Sequence, residues 1–168
     1  MNNRNNNYIK MFRPILKNKN ALDNDSILKI LKGERRGTLA INGDSGYPYA
    51  IPINFLYDEK DNKIYFHSAR IGYKVDLLKK DDKVCFTVFG NEIIKDERWA
   101  PYMSSVVIFG KCKVVNNKDE AINILRRFAL KYYLNSEMVD EEIRKHHNNV
   151  LMFEISIDYI TGKQVQEK

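Results

Sequence analysis

Between Tyr65 and Lys74 the chain reads YFHSARIGYK. A histidine, a serine, an arginine, a glycine and a lysine stand at 67, 68, 70, 72 and 74, directly after an apolar run. If a strand ends near Ser68 and a helix opens near Gly72, Lys74 lies in the first helical turn. Unpaired backbone N–H groups and the positive end of the helix dipole favour an anion there. The Lys74 ammonium, the Ser68 hydroxyl and the Arg70 guanidinium would complete a phosphate cradle. Cations are not what a bare helix start prefers, and a bound anion removes that conflict. The same residues also suit a plainer reading, with Lys74 and Arg70 facing solvent and Ser68 capping the helix. The motif alone leaves both open.

The elements that must position these groups are mostly strands. GTLAI (37–41) and YPYAIPINFLYD (47–58) flank NGDSG, a turn rich in residues that tolerate positive φ, and so form a hairpin. Pro48 and Pro52 cannot donate to a ladder, so the second strand should be an edge or bulged, with part of its backbone facing a ligand or another subunit. KIYFHS (63–68) is a third strand, KVCFTVF (83–89) a fourth and SSVVIFGKCKVV (104–115) a fifth, with Gly110 as its bulge. VLMFEISID (150–158) alternates as a half-buried sixth.

Helices are expected in three places. Asn24 or Asp25 caps a short one that ends at Gly33, and GYKVDLLKKDD (72–82) carries another. A capping box from Asn117 to Glu120 opens a longer one with Ile122, Leu125, Ala129 and Tyr132 along one face. A polar helical stretch, 136–147, follows it. The sum is a mainly β chain with peripheral helices, a six-stranded antiparallel barrel.

Composition narrows the class. With 168 residues and 43% hydrophobic content, residues 11–168 form one domain with a single core, behind an Asn-rich leader (1–10) that is expected to be disordered or to precede an alternative start at Met11. The net charge of +6 is spread in ones and twos, so no nucleic-acid footprint is expected. No apolar run approaches the roughly 18 residues of a membrane span, and the N-terminus lacks an apolar signal segment. Cys85 and Cys112 have neither Cys-x-x-Cys spacing nor a histidine at metal-ligand spacing, and read as reduced thiols of a cytoplasmic protein without a metal site.

GYPYAIPINF, IYFHSARIGYK, DKVCFTVF and SSVVIFGKCKVV, in this order and spacing, resemble the flavin-binding split-barrel superfamily of pyridoxamine 5′-phosphate oxidase. Within it the pattern is similar to the small FMN proteins of the nitroimidazole-resistance (Nim) type, over about Met11 to Gln164. The resemblance implies a six-stranded Greek-key split barrel that pairs as a homodimer with FMN at the interface. It implies that Tyr49, Ala50, Ile51 and Pro52 run beside the flavin ring and ribityl chain, and that His67, Ser68 and Ala69 edge the ring or hold the ribityl phosphate. Lys74 would bind the phosphate, and Ser104 and Ser105 would lie near the cofactor. His67 becomes the candidate catalytic residue: it could orient a nitroaromatic substrate, donate a proton or ligate a haem iron.

The activity so implied is FMN-dependent reduction of nitro compounds such as 5-nitroimidazole antibiotics, and with it antibiotic resistance. The alternative is a flavin- or haem-binding redox or stress protein without turnover. Trp99 and Tyr102 are candidates for an aromatic wall over the flavin. The C-terminal ITGKQVQEK lacks the Arg- and Trp-containing close of the true oxidases, so pyridoxamine phosphate oxidation is not expected.

Overall fold

The computed structural model describes residues 11–90 and 102–165. Its centre is one antiparallel sheet of seven strands: β1 (Arg36–Asn42), β2 (Pro48–Asn54), β3 (Leu56–Asp58), β4 (Lys63–Ala69), β5 (Lys83–Phe89), β6 (Met103–Val114) and β7 (Val150–Val165). They lie in the order β2-β1-β5-β6-β7-β4-β3. The sheet curls until β2 and β4 approach each other without hydrogen-bonding, which makes a barrel with a split wall. The leader (1–10) and Trp99 lie outside the described residues.

Alternation decides the inside. Leu39, Ile41, Phe86, Val88, Val106, Ile108, Phe66 and Phe153 are all sealed in the core. Phe66 stacks on Phe153 at 5.0 Å between centroids, and Phe55 meets Phe86 edge-on at 5.1 Å. A smaller cluster of Tyr65, Val115, Ile124 and Met152 lies on the other face of β4 and β7. Burial of Met152 there means that the last strand is covered on both faces near its start, and is not simply half-buried.

Among the described residues four α-helices accompany the sheet: α1 (Asn24–Gly33), α2 (Tyr73–Lys80), α3 (Lys118–Tyr132) and α4 (Ser136–His146). The cap of α1 is Asp23, whose carboxylate accepts from the Ser26 N–H at 2.8 Å, in place of the expected Asn24 or Asp25. Asn117 caps α3 as expected, accepting from Glu120 N–H at 3.0 Å. The buried stripe of α3 is Ile124 and Phe128, shifted from the expected Ile122, Leu125, Ala129 and Tyr132. This helix packs against the sheet on one side and α4 on the other, where Arg126 pairs with Asp140 at 2.6 Å, so its apolar residues divide between two neighbours.

Two strand features bear on the site. The long second strand expected over 47–58 breaks at Phe55, and its last residues become β3, hence seven strands and not six. At the break, Phe55 N–H donates to the Tyr132 hydroxyl at 2.8 Å, and the Phe55 carbonyl accepts from Lys131 Nζ at 3.2 Å, so α3 takes both backbone groups from the ladder. The expected bulge is present, with the β6–β7 register shifting between Phe109 and Gly110. A Cβ at 110 would fall 2.3 Å from the Ser156 carbonyl oxygen, which only glycine avoids. The last strand runs on to Val165, well past the expected Asp158. Among the described residues no helix is long and apolar enough to cross a membrane.

Candidate functional site

The split in the wall is built from two free edges. Among the described residues strand β2 is the outermost at one end of the sheet and pairs only with β1. Strand β3 stops at the Leu56–Tyr65 pair, so from Phe66 to Ala69 strand β4 pairs on one side only, with β7. Pro48 and Pro52 sit at alternate positions of β2, on the parity of Ala50. The β1–β2 ladder stays intact if that parity faces away from β1, toward the split. Between the edges lies an open cleft of about 590 Å³ lined by Arg36, Pro52, Ile53, Asn54 and His67.

Helix α2 reaches into this region. Gly72, at φ +132°, turns the chain from β4 into the helix, and no side chain caps it. Tyr73 meets Tyr49 of β2 edge-on at 4.9 Å, which ties the first turn of α2 to the edge strand. Lys74 is half-buried, with its Nζ 5.7 Å from the centre of the Phe66 ring. Burial pushes its pKa below the ordinary lysine value, and it pairs with no carboxylate among the described residues. An ammonium that has lost water without gaining an anion is an incomplete interaction.

The plainer reading of the motif fails at two residues. Ser68 does not cap α2, and Arg70 does not simply face solvent. Nor does Arg70 join Lys74. Its guanidinium turns to the far side of β4, donating to the carbonyls of Asn148 at 3.3 Å and Val150 at 3.4 Å. Successive strand residues point to opposite faces, and the chain leaves β4 before Lys74 is placed. Lys74 itself lies inward over Phe66 and does not line the cleft beside His67.

His67 keeps part of its surface in solvent while its ring packs edge-on against Phe128 of α3 at 4.9 Å. That desolvation, and secondarily the Lys74 ammonium, hold its pKa below the usual histidine value. The lowered pKa favours the neutral imidazole, which has one donor and one acceptor nitrogen.

Ser104 and Ser105 separate. Ser104 lines a second, larger cleft of about 980 Å³ with Arg35, Arg36, Gly90 and Tyr132. Its carbonyl accepts from Gly90 N–H at 2.8 Å. Ser105, the next residue, has the opposite parity and shares the outer face of β6 with Val107. Tyr49 and Ile51 pack on the core, and Ala50 and Pro52 are exposed on the outer face of β2. Ala69 is exposed at the end of β4, opposite Val150.

Arg36 lines both clefts and is the residue the sequence reading passed over. The signal was present as the Arg35–Arg36 pair immediately before an apolar strand, a pattern shared with any solvated charge. Among the described residues no group of three His, Cys, Asp or Glu side chains is placed to hold a metal ion.

Fold and cleft together define a curled antiparallel split barrel whose open seam lies between an edge strand and a strand end. A model of the pyridoxamine 5′-phosphate oxidase family matches residues 23–164, and the chain belongs to that family. No curated protein matches it. Among solved structures, a candidate 5-nitroimidazole antibiotic resistance protein of Bacteroides thetaiotaomicron is 23% identical over 86% of each chain, with a TM-score of 0.71. The flavocytochrome Anf3 of Azotobacter vinelandii is 18% identical over 95% of this chain and 76% of its own, at 0.74. An FAD and haem binding protein of Mycobacterium smegmatis is 18% identical over 86% of this chain and 72% of its own, at 0.71. At these identities the likeness establishes the fold alone.

Proposed function

We propose that this chain is an FMN-dependent oxidoreductase, acting as a homodimer, that reduces nitroaromatic compounds such as 5-nitroimidazoles. The observation that carries the reading is the unpaired, half-buried Lys74 ammonium at the uncapped start of α2, beside the seam between β2 and β4. A phosphate monoester would supply the anion that Lys74 and the first amides of α2 lack. The exposed edge of β2 offers backbone groups to a planar polar ring, and Arg36 supplies a cation in the cleft itself. The residues present thus fit a flavin mononucleotide. When bound, the flavin would supply the electrons for nitro reduction.

The chain's own part is binding and orientation. His67, whose lowered pKa favours the neutral ring, is suited to donate a ring N–H to a nitro oxygen and hold the substrate. Its depressed pKa makes it a poor reservoir of protons near neutral pH, so substrate contact is favoured over proton donation.

The homodimer is supported by the outer face of β1, β2, β5 and β6. Ala40, Cys85 and Val107 are only partly covered there, Ala50 is exposed, and the Phe109 ring is 38% exposed. A second copy would bury this face. The resistance phenotype implied by the resemblance is part of the same proposal, and the Bacteroides structure carries that description.

A second reading keeps the flavin, or a haem, without turnover. It draws on the descriptions of two relatives, a flavocytochrome and an FAD and haem binding protein. The visible spectrum of the purified protein separates the two: flavin bands alone are expected for the first, a Soret band for a haem module. A colourless protein that takes up no added FMN overturns the first. Anaerobic stopped-flow mixing of reduced protein with metronidazole should then show reoxidation, and its absence leaves the non-turnover reading.

A further inference from the structure

Arg70 is the residue of the opening motif that the flavin reading leaves unused. It lines an indented cavity of about 350 Å³ on the far side of β4, together with Lys118 at the start of α3 and His147. Among the described residues no acidic side chain lines this cavity. Arg70 spends one guanidinium nitrogen on the Asn148 and Val150 carbonyls, which fixes the group in place and leaves its other donors unused. Lys118 forms no ion pair among the described residues. The His147 ring is held by the contact of its Nδ1 with the Ile143 carbonyl at 2.9 Å.

A second cavity of about 370 Å³ adjoins it between α3, α4 and β4, and Leu125, His147 and Val150 line both. This one is mainly apolar: Ala129, Val139 and Ile143 wall it, and the exposed Tyr133 and Met138 form its lip. Its one carboxylate among the described residues, Glu142, is solvent-exposed and sits 3.8 Å from the His146 ring. A cationic chamber thus opens onto an apolar one, and either volume suits a small organic molecule.

We propose that these adjoining cavities form one binding site for an amphipathic organic anion, with a carboxylate head at Arg70 and Lys118 and a short apolar tail between α3 and α4. Charge complementarity fixes the head, and the apolar walls reward the tail. The apolar chamber adjoins the seam cleft at His67, which lines both, while Arg70 and Lys118 lie away from the seam; the proposal does not depend on the flavin reading.

Titration calorimetry of the full chain with octanoate tests it. Octanoate should bind saturably, one per chain, while octan-1-ol and acetate bind at least about tenfold more weakly, each lacking one half of the recognition. Lys118→Ala, a surface change, should raise the octanoate Kd about tenfold with an unchanged melting temperature. Ala129→Leu should weaken octanoate and leave acetate unaffected. The proposal is overturned if octanoate does not saturate at millimolar concentration, if octan-1-ol binds equally well, or if Lys118→Ala leaves the Kd unchanged. Displacement of FMN by octanoate would also overturn it, by placing both ligands in one site.

Discussion

At the scale of single residues, Lys74 lies inward over Phe66 while His67 opens to the cleft between β2 and β4. Lys74 combines burial against Phe66 with the absence of a carboxylate, a combination that favours an incoming anion. Lys74→Ala should raise the FMN dissociation constant ten- to a hundredfold, since a charge-assisted hydrogen bond is worth about 1.5–3 kcal/mol. A flavin titration that gives the same constant for both proteins removes the phosphate role. His67 has a pKa lowered in the folded state, first by desolvation and then by Lys74. The unfolded chain therefore binds the extra proton more readily. The contribution of His67 to stability is full above the ordinary histidine pKa and is lost as pH falls toward the depressed folded value. Melting temperatures of His67→Gln should accordingly fall less than those of the native chain as pH drops from neutral into the mildly acidic range. Parallel curves would sink the account. Both residues were legible in the sequence as chemistry, but their partners were not. Arg70 looked like a neighbour of Lys74 and is instead on the other side of the sheet.

At the scale of elements, the seam exists because one strand is interrupted. Tyr132 and Lys131, at the end of α3, capture the N–H and carbonyl of Phe55. The chain then leaves β1 as its partner and joins β4. Tyr132→Phe should strand the Phe55 N–H while Lys131 still serves the carbonyl. The expected cost is about 1–3 kcal/mol, read from chemical denaturation, together with weaker flavin binding as the edge of β2 loses its anchor. No loss of stability would mean that the break at Phe55 has another cause. The apolar pattern of 47–58 gave no sign of the break, because the interrupting groups come from residues far along the chain. The bulge at Gly110 was legible, because glycine inside an apolar strand is itself the mark of a close backbone approach.

At the scale of the whole molecule, α1 and α2 pack with the inner core and α3 on the outer face of β4 and β7, which leaves the outer face of β1, β2, β5 and β6 with small apolar residues partly exposed. Ala40 lies on that face, opposite Ala50 in the β1–β2 register and Cys85 in the β1–β5 register. Sedimentation velocity should report a dimer for the native chain and a monomer for Ala40→Arg, with flavin uptake reduced in the variant. A native chain that sediments as a monomer ends the homodimer proposal. Cys85 and Cys112 are both free thiols, and burial pushes that of Cys112 up to about 12, so it stays protonated and chemically quiet.

What the sequence determined by itself was local: alternation marked the strands, prolines marked the edge strand, and Asn117 and Gly72 marked helix starts. These features act over a few residues, so they can be read without knowing what lies across the sheet. The tertiary structure alone decided that β2 and β4 face each other across a seam, that Arg36 lines both the seam cleft and a second one, and that Arg70 serves a different cavity. Those outcomes depend on sheet curvature and on backbone groups contributed from distant positions, and no short window of residues encodes either.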